Sequence, residues 1–190
     1  MIEETDNEIM YQVRSGQLDR LAVLYDRYQA PLFGFFRGMT QDKELSADLV
    51  QNVFYRILKY KHQFQGGQFR TWLFHIARNV HHDQYRRKNQ PIKVSIDDYK
   101  DQIRDRYETD FELNSAEDLG LLRKAIAALP EDKREILLLS KYQEKNYKEI
   151  GEILGCTEGA VKVRVFRALN DLKAMYYKVE GIKIENTKFN

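Results

Sequence analysis

The segment Asn146–Lys173, NYKEIGEILGCTEGAVKVRVFRALNDLK, holds two helical periods parted by residues that can continue neither. Ile150 and Leu154 mark the inner side of a short first helix, Gly155 supplies a tight turn, and Thr157 is a natural N-cap. Val161, Val165, Ala168 and Leu172 then recur along a longer second helix. A helix, a tight turn and a capped second helix is the sequence form of a helix-turn-helix. The four apolar residues hold the second helix against a domain, and Lys162, Arg164, Phe166 and Arg167 face elsewhere. A protruding helix of that size fits the major groove of DNA, where Lys and Arg donate to guanine edges or neutralise phosphates and Phe packs on a thymine methyl. Thr157, Glu158 and Gly159 stand where the helix start approaches the backbone or an exposed cytosine. A basic solvated helix in a bundle has the same pattern, so this stretch alone leaves both readings open.

The rest of the chain is helical in period too. Leu18, Leu21, Leu24, Tyr28 and Leu32 predict one helix over residues 6–37, broken by Gly38 and GMTQDKE. Thr40 or Asp42 can cap the next helix, about Lys43 to His62, with Leu45, Leu49, Val53, Ile57 and Tyr60 inside and Asp48, Gln51, Asn52, Tyr55, Arg56 and Lys59 outside. QFQGGQ is a loop, because two adjacent glycines are costly in a helix. A helix from about Phe69 to Lys88 follows, with Phe69, Trp72, Leu73, Ile76 and Val80 on its core arc. Beyond Pro91 the periodicity weakens until Ala116–Leu129, a helix beginning at Pro130, and Tyr147–Leu154. Composition agrees: 32% charged and 12% aromatic residues with only 10 Gly and 3 Pro favour helices joined by short connections. The expected fold is all-α, in two small helical domains.

Net charge is only +2, so a strongly basic field is not what points to nucleic acid; its distribution is more informative. Residues 1–93 hold 14 Lys/Arg against 10 Asp/Glu, 94–119 hold 3 against 9, and 120–178 hold 12 against 8. Within the first block, FRTWLFHIARNVHHDQYRRK combines aromatic rings with Arg70, Arg78, Arg86, Arg87 and Lys88, the mixture of π faces and cations that single-stranded nucleic acid uses. Trp72 belongs to the core arc, while Arg78, Asn79, His82 and Arg86 need no burial. The Gly66–Gly67 loop upstream is a place where backbone can close around an extruded base.

Other chemistries find little support. In HHD, His81–Asp83, adjacent rings on a helix point ~100° apart and no carboxylate pair follows at the right spacing, so no metal site is expected, although a helical hydrolase centred there is the enzyme alternative. No GxGxxG, Walker loop, GxSxG or HExxH occurs, so neither catalytic activity nor a cofactor is expected. Cys156 is the single cysteine and cannot form an intramolecular disulfide. The acidic start MIEETDNEIM and the lack of a long apolar run predict a cytoplasmic protein with no membrane insertion.

Taken in order, FGFFRGMTQDKELSADLVQNVFYRIL, FRTWLFHIARN and ALPEDKREILLLSKYQEKNYKEIGEILGCTEGAVKVRVFRA resemble the extracytoplasmic-function (ECF) group of bacterial RNA polymerase sigma factors, over nearly the whole chain. The resemblance implies sigma domain 2 over 1–93, an acidic linker over 94–116, the helix-turn-helix sigma domain 4 over 117–178, and a tail over 179–190. It implies a promoter-recognition subunit of RNA polymerase, with Asp48, Gln51, Asn52 and Arg56 docking on the clamp coiled coil of the largest subunit, and the flap of the second subunit as a further partner. Phe64, Gly66, Gly67 and Asn79 would form a pocket for a flipped base of the minus-ten element, with Arg78, His82 and Arg86 near the backbone. Thr157, Glu158, Lys162, Arg164, Phe166 and Arg167 would read the minus-thirty-five element. Val163 and Ala160 stand where serine and threonine are common in the family, which implies modest affinity of this domain for DNA alone. The linker would thread toward the RNA exit path, and an anti-sigma factor would cover the polymerase-binding faces. The competing reading of the residues is a stand-alone helix-turn-helix regulator, which binds duplex operator without polymerase.

Overall fold

The first helix starts where the sequence supplies its own cap. The Glu8 backbone N–H donates to the Thr5 hydroxyl at 3.3 Å while the Thr5 backbone N–H donates to the Glu8 carboxylate at 2.7 Å, a reciprocal capping box. In the computed structural model, which describes residues 4–88, 116–142 and 146–180, this helix, α1, spans Asp6–Arg14. The single helix predicted over 6–37 is therefore two. Gly16, at φ +112°, turns the chain, a 3-10 turn follows at Leu18–Arg20, and α2 runs Leu21–Thr40. Leu18, counted in the apolar stripe, stands exposed on that turn. At its other end α2 passes through Gly38, and the break falls at Gln41, a non-glycine residue at φ +59°.

Asp42 caps α3 (Lys43–Tyr60) by accepting the Leu45 N–H at 3.0 Å. A second 3-10 turn, Lys61–Gln63, and the glycine loop lead into α4 (Phe69–Lys88). Then come α5 (Ala116–Ala128), α6 (Glu131–Tyr142), α7 (Tyr147–Leu154) and α8 (Glu158–Glu180). Among the described residues there is no strand. The linker expected over 94–116 lies outside the described residues except for Ala116, and of the tail expected over 179–190 only Val179 and Glu180 are described, as the end of α8.

The chain divides into two compact units, Met1–Phe36 with Asp42–Glu108, and Arg37–Gln41 with Thr109–Asn190. In the first, Phe35, Phe36, Phe64, Phe69 and Phe74 are fully buried together with Ile9, Met10, Leu24, Leu32, Ile57 and Leu73. Each such side chain contributes about 1.5–3 kcal/mol on leaving water. Phe35 and Phe74 meet edge to face at 5.7 Å between ring centroids, the arrangement the ring quadrupoles favour. Asp6 fastens α1 to α2 through an ion pair with Arg27 at 2.6 Å and a hydrogen bond from the Tyr28 hydroxyl. Burial, then the Asp6 carboxylate, pushes that hydroxyl above its ordinary range, so it stays a donor.

In the second unit α8 packs on α5, α6 and α7. Val161, Val165 and Ala168 are buried along with Ala125, Leu129, Ile136, Leu139, Ile150 and Ile153. An ion pair from Lys133 to Asp171 joins α6 to α8. Arg134 ends α5 by donating to the Ala127 and Leu129 carbonyls at 2.8 and 2.9 Å, which satisfies carbonyls that the helix itself leaves open.

Candidate nucleic-acid interface

The turn between α7 and α8 is made by two glycines. Gly155 takes the left-handed conformation at φ 67°, ψ 38°, and the Cys156 N–H reaches back to the Gly151 carbonyl at 2.9 Å. A Cβ at Gly151 would lie 2.6 Å from the Cys156 carbonyl oxygen, so the turn closes over a position that must lack a side chain. Gly151 is a determinant the sequence reading missed; the signal was present, since an unforced glycine costs a short helix about 1 kcal/mol.

Thr157 then caps α8, its hydroxyl oxygen accepting the Ala160 N–H at 3.2 Å. Val161, Val165 and Ala168 face inward as predicted, with Leu172 half-buried. At ~100° per residue the line opposite them passes through Val163, Phe166, Arg167 and Asn170, all exposed. Val163 and Asn170 extend the expected face. Phe166 is 66% exposed. Lys162 is held by Glu158 at 2.6 Å, and that contact keeps the Glu158 carboxyl below its ordinary value. Arg164 and Arg167 are exposed and make no ion pair or hydrogen bond among the described residues.

On α4 the inner side is Phe69, Leu73, Phe74, Ile76, Ala77, Val80 and His81. The outer side shows His75, Asn79, His82, Tyr85 and Arg86 exposed, with Arg78 half-buried beside them. The Asn79 amide meets His75 Nδ1 at 3.2 Å. Two residues differ from expectation. Trp72, assigned to the core arc, is only half-buried and sits at the edge, with Phe64 at 5.3 Å and Phe69 at 6.2 Å between ring centroids. Phe64, expected at a base pocket, is 1% exposed; its ring is core and its carbonyl accepts from Arg14 Nη1 at 2.9 Å. The ring of Phe64 is thus a wall behind Trp72, not a surface for a base. Gly66 and Gly67 lie between these aromatics at φ +119° and +82°.

Asp83 joins two of the expected surfaces. It receives Arg56 Nη2 from α3 at 2.8 Å and Arg86 Nη2 at 3.0 Å, and the Arg56 hydrogen bond is the main reason its carboxyl is held below the usual range. Arg56 Nε also donates to Asn52 at 3.1 Å. Arg56, expected on a docking face, is therefore largely a strut between α3 and α4, while Asp48 and Gln51 are exposed and Asn52 is half-buried. Tyr55, 64% exposed, stands among them. Asp48 is partly desolvated and neighbours Glu44 and Asp42; burial first, then those carboxylates, raise its carboxyl above the ordinary value. The HHD trio does not converge: His81 is buried, His82 exposed, their rings edge-on at 5.9 Å, and Asp83 is taken by arginines. Among the described residues no group of three or more His, Cys, Asp or Glu is placed to hold a metal.

Two family models match: Sigma-70 region 2 over residues 24–90 and Sigma-70, region 4 over residues 119–172. The ECF RNA polymerase sigma factor SigM of Bacillus subtilis (strain 168) is 31% identical over 153 residues, 80% of this chain and 93% of that protein. The chain belongs to the ECF RNA polymerase sigma factors. Two solved structures share its fold. CnrH, solved in complex with the cytosolic domain of CnrY, has a TM-score of 0.69 at 22% identity, over 90% of this chain and 97% of that one. The sigma factor RpoE of Bartonella quintana, solved with the anti-sigma factor NepR, has a TM-score of 0.59 at 25% identity, over 85% and 96%. In this sigma factor the region 2 match begins within α2 and takes in α3 and α4, the region 4 match takes in the helix-turn-helix, and α1 lies ahead of both. No described helix is long and apolar enough to cross a membrane.

Proposed function

We propose that this sigma factor directs core RNA polymerase to promoters through three separate surfaces, carried by sigma domain 2 over residues 1–93 and sigma domain 4 over 117–178. Asp48, Gln51, Asn52 and the exposed Tyr55 on α3 dock on the clamp coiled coil of the largest subunit. Asn79, His82 and Arg86 on α4, with Arg78 and the Gly66–Gly67 loop, take the non-template strand of the minus-ten element. Lys162, Arg164, Phe166 and Arg167 on α8 enter the major groove of the minus-thirty-five element, with Thr157 and Glu158 at the helix start.

Promoter opening on this reading is differential binding. Melting costs the stacking and pairing energy of each base taken out, and the α4 face binds only strand that has been released, so it shifts the equilibrium toward the open state. The duplex contact by α8 places that face where the melting is to occur. Trp72, half-buried at the edge of the glycine loop, offers part of an indole face for stacking. Docking of the second unit on the flap keeps α8 in reach of its groove.

The observation that carries this reading is Phe166, 66% exposed between two cations on the outer face of a capped second helix. The structure of RpoE with the anti-sigma factor NepR supports a further step: a protein inhibitor that covers these exposed faces keeps the chain from polymerase. Run-off transcription tests the whole. Core polymerase alone should yield no specific product, and adding this chain should yield transcripts from a subset of a promoter pool; silence across the pool would refute the proposal.

A further inference from the structure

One stripe of α1 contacts the glycine loop and its flanks. Asn7, Tyr11 and Arg14 fall at i, i+4 and i+7, a single stripe of that helix. The Asn7 amide donates to the Gly67 carbonyl at 2.7 Å, and the Asn7 carbonyl oxygen accepts the Phe69 N–H, the first of α4, at 2.8 Å. Arg14 Nη1 donates to the Phe64 carbonyl at 2.9 Å. Between them the Tyr11 ring lies 5.4 Å from that of Phe64, and its hydroxyl is 3.2 Å from where a Cβ on Gly66 would project. Both ends of the loop are thus fixed by side chains about 60 and 50 residues away in sequence, while Gln65 and Gln68 remain exposed.

We infer that α1 is a template for this loop, with Asn7 and Arg14 as positioning residues that hold it ready for the minus-ten strand. The inference rests on the proposal that the loop captures that strand. It concerns a helix that precedes residue 24, where the region 2 match begins. The physical basis is preorganisation. Two glycines at positive φ have many alternatives, and each one the loop samples in the free protein must be given up on binding. Pinning Phe64, Gly67 and Phe69 removes most of that freedom beforehand. α1 is itself held rigid by its capping box and by Asp6 to Arg27 and Tyr28, so the template does not move with the loop.

Asn7 does two jobs that one substitution separates. Asn7→Asp keeps an oxygen for the Phe69 N–H and puts a negative charge at the start of α4, which favours the helix. It also removes the donor to the Gly67 carbonyl and sets two acceptors against each other. A purely structural cap predicts that Asn7→Asp behaves like the wild type; a loop-positioning residue does not. The probe is the non-template single strand from the promoter that wild-type holoenzyme selects out of a randomised pool. Trp72, the single tryptophan, reports on the loop directly through acrylamide quenching.

The expected result is a melting temperature and affinity for core polymerase like those of wild type, with strand affinity lowered about fivefold, the worth of roughly one hydrogen bond, and Trp72 more readily quenched. Arg14→Gln, which releases the Phe64 end without touching the cap, should lower strand affinity in the same direction and decides the matter alone if Asn7→Asp melts early. Strand binding unchanged in the folded variants, while Gln65→Ala with Gln68→Ala weakens it, would overturn the template and leave the loop's role standing. If the Gln65→Ala, Gln68→Ala variant also binds strand as wild type does, the loop is not a strand contact and both readings fall.

Discussion

The outer faces of α4 and α8 are both basic and both carry an exposed aromatic, yet their side chains are engaged in opposite ways. On α4 the polar groups are already tied to the protein: Arg86 to Asp83, Asp83 to Arg56 on α3, Asn79 to His75, and the preceding loop to Asn7 and Arg14. On the outer face of α8 Lys162 is tied to Glu158, while Arg164 and Arg167 stand without an ion pair among the described residues. The contrast follows from what each face is proposed to bind. A melted strand has no shape of its own, so the protein must provide the shape, and prior ordering lowers the entropy lost on binding. A duplex groove is already ordered, and a helix that meets it needs cations left free to find phosphates and base edges.

The largest effect that would break this comparison is at the turn that holds α8 outward. Gly151→Ala forces a Cβ to within 2.6 Å of a backbone carbonyl, and overpacking of that kind costs about 1–3 kcal/mol. The second unit should melt earlier and lose duplex binding, as read by circular dichroism and a minus-thirty-five fragment; wild-type melting would mean the turn relaxes freely. Next is the strut on the other face. Asp83→Asn should loosen α3 from α4 by roughly 0.5–1 kcal/mol, a figure already reduced for side chains that are 23% and 35% exposed. Since the folded carboxyl titrates below its ordinary value, this stabilisation is present in full above about pH 4, the unfolded value, and is lost as pH falls through the lower folded one. A wild-type minus Asp83→Asn stability difference that is flat from pH 7 to about 4 and shrinks below it is the expected profile. Smallest is Glu158→Gln, which frees Lys162. It should steepen the salt dependence of duplex binding by less than one unit, whereas a Glu158 that accepts from a cytosine would show as weaker binding at every salt concentration.

Much of this was legible from spacing. α4 falls on the residues its period marks, Phe69–Lys88, α7 begins and ends at Tyr147 and Leu154, and the inner line of α8 is the one its valines draw. The failures share a cause: they depend on partners distant in sequence or on backbone geometry that apolar period does not encode. The stripe Leu18, Leu21, Leu24 begins past Gly16, already inside the 3-10 turn, so apolar period does not mark where α1 ends and α2 begins. Trp72 has the right period for the core, but Phe64 arrives from the preceding loop to fill that space and leaves the indole at the edge. Arg56 looks free on its own helix because Asp83, its partner, lies 27 residues on. Nothing in α1 announces that Asn7 and Arg14 serve a loop beyond residue 60.

The central claim is that the α8 face reads duplex while the α4 face reads released strand, and permanganate footprinting of promoter-bound holoenzyme separates them. Holoenzyme carrying Asn79→Ala with His82→Ala should still protect the minus-thirty-five duplex but leave minus-ten thymines unreactive, because binding persists without melting. Arg167→Ala should weaken minus-thirty-five protection by about 1–3 kcal/mol if it reads a base, or lower the salt slope by about one unit if it meets a phosphate. Loss of protection and melting together in the α4 variant, or normal melting in it, would contradict the account.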